Sequence, residues 1–197
     1  HGVTVYLLNA EPVRNDAAIY GDVLREGEKF TLTSLAALQV CQALDWTPDI
    51  VHANDWHTSM SIIWLTQSRP TDSFWRDVRG LFTIHNLAYM GAGIEQILDD
   101  YGLPASEDMR LPDWALHTPL PMALSQADWL STVSPTYAEE IQTAEFGYGL
   151  ESLLQSRQER LVGILNGIDQ QIWDPADDAA LPINYSIADI QAREKVK

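Results

Sequence analysis

Short apolar runs, several of them β-branched, stop abruptly at polar residues along this chain. They are Val3–Leu8 (VTVYLL, then NAEP), Asp49–Val51 (DIV, then HANDWH), Leu81–Ile84 (LFTI, then HN), Leu130–Val133 (LSTV, then SPTY) and Leu161–Leu165 (LVGIL, then NGID). Continuous runs without polar alternation suit parallel strands covered on both faces. Each is therefore read as a strand.

Helical patterns fill the intervals. Glu28–Leu44 is apolar around most of its circumference, and Thr58–Ser68 follows the HANDWH turn, with Thr58 or Asp55 placed to cap it. Ser134-Pro135 is a helix start, a capping serine followed by proline in the first turn. That helix is expected to run to about Thr143, before the Gly147-Tyr148-Gly149 break, and Leu150–Gln158 forms another. Pro104, Pro112, Pro119 and Pro121 make the segment from Ala88 to Asp128 irregular, an excursion over the strand ends built from short helices. Asp174–Asp178 (DPADD) reads as a surface turn. Strands alternating with helices predict an α/β, Rossmann-like, doubly wound parallel sheet.

Composition narrows the function classes. The 197 residues are 46% hydrophobic and include seven tryptophans, enough for one full core and an appendage. Twelve Lys+Arg stand against 28 Asp+Glu, a formal charge of −16, and no basic residue lies between Arg110 and Arg157. Nucleic acid and an anionic membrane surface are poor partners for such a chain. No apolar run reaches the roughly 18–20 residues that span a bilayer. The single cysteine, Cys41, sits in a helical pattern and has no internal disulfide partner.

Ligands of open parallel sheets bind beyond the carboxyl ends of the strands. His52, Asn54, Asp55, His85, Asn86, Ser134, Asn166 and Asp169 are all expected at that edge. The mixture donates and accepts hydrogen bonds with little formal charge, which suits hydroxyl-rich ligands such as sugars, and the histidines can handle protons. Taken singly, Asp55 is also a plausible helix cap, His85 a structural hydrogen-bonding residue and Asn166-Gly167 a turn. His52, Asp55 and His57 lack HExxH spacing for a metal, FGYGLE lacks the P-loop and GxGxxG patterns, and GxSxG is absent.

HANDWHTS, TIHNLAYMG, STVSPTYAEEI, FGYGLESLL and RLVGILNGIDQQIWDPADD, in this order, resemble the bacterial glycogen synthase and plant starch synthase family. The resemblance covers Asp49 to the C-terminus and is thinner before it, where YGD is followed by EKF. It implies a GT-B glycosyltransferase, two Rossmann-like domains facing across a cleft. The implied reaction transfers glucose from ADP-glucose, or UDP-glucose, to the non-reducing end of an α-1,4-glucan, with retention and with no metal or cofactor.

By motif, the resemblance makes His85 and Asp55 catalytic: His85 contacts the donor glucose, and Asp55 organises the reacting region and acceptor. It places Asn166, Asn86 and Tyr20 among the substrate-binding residues. Residues 1–183 would be the acceptor-side N-terminal domain without its first strand and Lys-Thr-Gly-Gly-Leu loop. Residues 184–197 would begin the link to a C-terminal nucleotide-sugar domain. The parent would be a cytoplasmic bacterial or a plastid enzyme, and this chain alone would be inactive. Two alternatives remain at this point, a non-catalytic glucan-binding module and an unrelated metallohydrolase.

Overall fold

The computed structural model describes residues 2, 4–11, 13 and 19–195. The chain divides into two compact units, His1–Ile164 and Leu165–Lys197.

The first unit carries β1 (Ile50–Asn54), β2 (Arg79–Ile84), β3 (Trp129–Thr132) and β4 (Leu161–Gly163). They form one parallel sheet in the order β1-β2-β3-β4. Its helices are α1 (Val23–Ala43), α2 (Asp55–Ser68), α3 (Glu95–Asp100), α4 (Pro119–Gln126), α5 (Pro135–Glu140) and α6 (Glu151–Ser156). Four of the five expected strands and all the expected helices are thus present.

The helix ends follow local chemistry. α1 starts five residues before the expected Glu28 because Asp22 caps it, its carboxylate accepting from Arg25 N at 2.9 Å. It stops in a Schellman motif: Trp46 N donates to Cys41 O and Asp45 N to Gln42 O, both at 3.0 Å, with Asp45 at φ 51. Ser134 caps α5 as expected, accepting from Tyr137 N at 2.9 Å. α4 takes two prolines in its first turn, where their missing N–H groups are not needed.

The strand order rises in one direction. Right-handed crossovers then send successive connecting helices to the same face of the sheet. On that face Ala53, Phe82 and Leu130 pack with Met60, Ile62 and Ile63 of α2 and with Leu120, Met122 and Leu124 of α4. α1 lies outside α2, joined to it by Ser34 Oγ donating to His57 O at 3.1 Å. The alternate strand positions face the other way, and Ile50, Trp129 and Val162 are exposed there. The described strands therefore wind in one direction only.

The expected strand Val3–Leu8 does not form. Val3 lies outside the described residues, and Thr4–Leu8 are exposed chain without a ladder partner. Apolar pattern alone does not make a strand, because its backbone groups need a neighbour to bond.

In the second unit Asp174 forms the expected turn, its carboxylate accepting from Ala176 N at 2.9 Å. A 3₁₀ segment, Ile187–Lys195, follows.

Candidate functional site

Asp55 is the pivot of the carboxyl edge. It follows β1 directly and holds φ 54, a left-handed conformation that aspartate tolerates better than most residues. The sequence offered it as a cap for α2, but its carboxylate turns away towards the loop after β2. Oδ1 accepts from His85 N at 2.7 Å and from Asn86 N at 3.4 Å, while Oδ2 lies 3.1 Å from His85 Nδ1. The α2 end is instead held by Thr58, whose Oγ1 accepts from Asn54 N at 2.6 Å and donates to Asn54 O at 2.8 Å.

The His85 loop is fastened almost entirely by side chains. Thr132 Oγ1 donates to Ile84 O at 2.8 Å, and Leu87 N donates to Tyr137 Oη at 3.0 Å. Asn86 Oδ1 accepts from Ala88 N at 3.0 Å. With the Asp55 carboxylate beside Nδ1, that nitrogen carries the ring hydrogen, and Nε2 is left without a protein partner among the described residues. The His85 side chain is 45% exposed, so Nε2 is open to a ligand.

Beside this pair an aromatic cavity of about 420 Å³ is lined by Tyr20, Glu26, Trp56, His57 and Tyr89. A second, of about 370 Å³, shares Glu26, Trp56 and Tyr89 and continues along Ala88–Ala92. The rings are mutually braced: His57 lies 4.6 Å from Phe30, 4.6 Å from Trp56 and 5.6 Å from Tyr20, centroid to centroid. Burial pushes the His57 imidazole below its usual pKa, partly opposed by the charges of Asp55 and Glu26. Gly91 closes the wall. Its φ is +77, and a Cβ there would stand 2.5 Å from Trp56 Cε3.

Aromatic walls, one carboxylate and an oriented imidazole are groups that stack on sugar rings and bond hydroxyls. Among the described residues no Lys or Arg lines either cavity. At the opposite, amino edge Arg110, Arg157 and Arg160 line a cavity of about 580 Å³. Their donors are largely spent on structure: Arg157 bonds the main-chain oxygens of Leu124 and Ala127, and Arg110 bonds Asp108 and Ser125 O.

The structure thus joins Asp55, His85 and Asn86, and puts Tyr20 in the adjoining cavity. Two other expected edge residues point elsewhere. His52 alternates onto the exposed sheet face, where Nε2, Thr83 Oγ1 and Ser131 Oγ form a chain with both links at 2.6 Å. Ser134 is occupied as the α5 cap. Asn166 and Asp169 lie in the second unit. Asn166 is exposed, and the Asp169 carboxylate accepts from Gln171 N and Ile172 N in a local turn. Sequence reasoning missed Glu26, Trp56, Tyr89 and Tyr137, and weighed His57 only as a metal ligand. Trp56 and His57 directly follow Asp55, a placement that could have drawn attention to them. Among the described residues no group of three or more His, Cys, Asp or Glu side chains could hold a metal ion. No helix among them is long and apolar enough to cross a membrane.

Residues 1–156 match the family model described as the starch synthase catalytic domain. The chain belongs to this family. It is 40% identical over 202 residues to a glycogen synthase of Myxococcus xanthus, covering 98% of this chain and 42% of that protein. A glycogen synthase of Treponema denticola is 35% identical over 202 residues, covering 99% and 41%. The solved catalytic domain of starch synthase IV from Arabidopsis thaliana, bound to ADP and acarbose, superposes with a TM-score of 0.66 at 31% identity. That match covers 90% of this chain and 37% of the plant chain. This synthase-family chain therefore spans about two fifths of its relatives' length, and its sheet with flanking helices is α/β architecture of the GT-B kind.

Proposed function

We propose that this chain is the acceptor-side half of a retaining glucosyltransferase that extends an α-1,4-glucan from ADP-glucose. The observation that carries the reading is the Asp55–His85 pair, set at the carboxyl edge beside an aromatic, carboxylate-bearing cavity, in a chain of the starch synthase family. The bacterial relatives named glycogen synthase and the plant domain's ADP and acarbose support the substrate classes.

In the proposed reaction the bond between glucose C1 and the β-phosphate oxygen breaks. A bond from C1 to the O4 of the terminal glucan residue forms on the same face. The acceptor hydroxyl proton leaves with the ADP phosphate or passes to solvent. Positive charge grows on the sugar while negative charge grows on the leaving diphosphate, and fixed dipoles and charges aimed at those sites lower the barrier.

His85, through its unpartnered Nε2, would hold a hydroxyl of the donor glucose. Asp55 would fix that imidazole and the loop beneath it, and its charge would favour the positive sugar. Tyr20, Trp56 and Tyr89 would stack against acceptor rings while Glu26 accepts from their hydroxyls. Asn86 and Asn166 are proposed as further sugar contacts. The cationic groups for the diphosphate would come from a C-terminal domain of the parent enzyme, working in a bacterial cytoplasm.

The test is ADP release from ADP-glucose with glycogen as acceptor, run on this chain and on the full-length parent, with UDP-glucose in parallel. Turnover by the parent alone with ADP-glucose supports the proposal. Turnover only with UDP-glucose overturns the donor assignment. No turnover with either donor, beside an active synthase control, overturns the reaction.

A further inference from the structure

The loop that carries His85 is short of main-chain partners. After Ile84 leaves the sheet, three successive N–H groups, those of His85, Asn86 and Leu87, are received by side chains from other elements. Asp55 at the head of α2 takes the first two at 2.7 and 3.4 Å, and Tyr137 on α5 takes the third at 3.0 Å. Leu87 is fully buried, so its N–H has no recourse to water if that acceptor is lost. Tyr137 itself is half-buried, and α5, which carries it, is fixed by the Ser134 cap and the proline in its first turn. Burial raises the pKa of the phenol, the bond from Leu87 N–H opposes that rise, and the charges of Tyr148, Asp55 and Glu140 add to it.

We infer that Tyr137 is a positioning residue for His85, the second anchor of a two-point clamp whose first anchor is Asp55. Asp55 sets where the loop begins and which ring nitrogen carries hydrogen. Tyr137 sets where the loop ends. Between them the His85 ring has one orientation. Freeing either anchor lets the ring sample others, and a misplacement of about 1 Å at a reacting centre can cost on the order of a hundredfold in rate.

This inference rests on the glucosyltransferase reading for its kinetic test but not for its structural one. In the full-length parent, Tyr137→Phe removes the acceptor oxygen and keeps the ring. The expected result is a fall in kcat of about tenfold, with KM for ADP-glucose and glycogen within about twofold, assayed well below the melting temperature. Combined with Asp55→Gly, which keeps the left-handed backbone and removes the acceptor of the His85 and Asn86 N–H groups, the loss is expected to be smaller than the product of the two single losses, because both changes release the same loop. With histidine-labelled parent, Tyr137→Phe is expected to shift the His85 ring resonances and to speed Leu87 amide exchange about tenfold. A kcat within twofold of the parent's, or losses that multiply in the double variant, would overturn the clamp. If the unsubstituted parent transfers no glucose, the function proposed above fails. The clamp is then judged on the resonances, and unchanged His85 signals in Tyr137→Phe sink it.

Discussion

Asp55 and His85 meet twice: Oδ1 accepts the main-chain N–H of His85 at 2.7 Å, and Oδ2 lies 3.1 Å from its ring Nδ1. One carboxylate thereby holds both the backbone and the tautomer of the residue proposed to touch the donor sugar. Asparagine accepts the same left-handed backbone, so Asp55→Asn isolates the carboxylate from the strain at φ 54. Turnover of the parent enzyme is expected to fall by about tenfold or more with the thermal midpoint little changed, and His85→Ala by at least as much. Steady-state kinetics with both variants checks this, and near-normal kcat in either removes that residue from the mechanism.

His57 makes the stability of the aromatic cavity pH-dependent. Burial lowers its pKa in the folded protein, while an unfolded histidine titrates near 6.5. Between those two values the unfolded chain binds more protons, so stability falls as pH drops from above about 6.5 towards the folded pKa. His57→Gln should flatten that part of the profile. Denaturation curves at pH 5.5 and 7.5 on both proteins test it, and equal slopes would refute the assignment.

Tyr89 is 66% exposed, so truncating it leaves the core intact. Under the proposed function, Tyr89→Ala raises KM for glycogen about fivefold through lost stacking, with the nucleotide-sugar KM unchanged. An unchanged glycogen KM would remove Tyr89 from the acceptor wall.

Gly163 lies where β4 passes under the start of α5. A Cβ there would stand 2.1 Å from Ser134 O and 2.4 Å from Pro135 Cα, both rigid backbone. Gly163→Ala is expected to lower stability by about 3 kcal/mol. Urea denaturation measures it, and a change below about 1 kcal/mol would mean that the α5 start yields easily.

Arg157 is buried, and it satisfies carbonyls at the end of α4 with Leu124 O and Ala127 O as partners. Arg157→Met keeps most of the side-chain volume and removes the donors. A loss of about 2–3 kcal/mol is expected from the orphaned acceptors. A neutral result would show that water enters the neighbouring cavity and replaces the guanidinium.

Much of the architecture was legible because burial leaves a linear trace. β2 and β3 lie inside the sheet and show as apolar runs that end at polar residues, and Ser134-Pro135 announces α5 through capping chemistry that needs only adjacent residues. Thr4–Leu8 carries an apolar pattern yet forms no strand, since a strand is completed by a partner and not by its own side chains. The site was legible as a set of positions near one edge, His85, Asn86 and Asp55 among them. It was not legible as an arrangement. His52 shares the edge but alternates onto the other sheet face, towards Thr83 and Ser131.

What the sequence by itself determined is the class of fold, and it drew Asp55, His85 and Asn86 to one edge of the sheet as candidates. These follow from periodicity and residue type, which are local. The tertiary structure alone decided that Asp55 turns from its own helix to hold His85, 30 residues further on, and that Tyr137, 50 residues beyond Leu87, closes the same loop. Hydrogen bonds of that span depend on the sheet setting β1, β2 and β3 side by side. Only that register brings the head of α2 and the first turns of α5 to the loop between them.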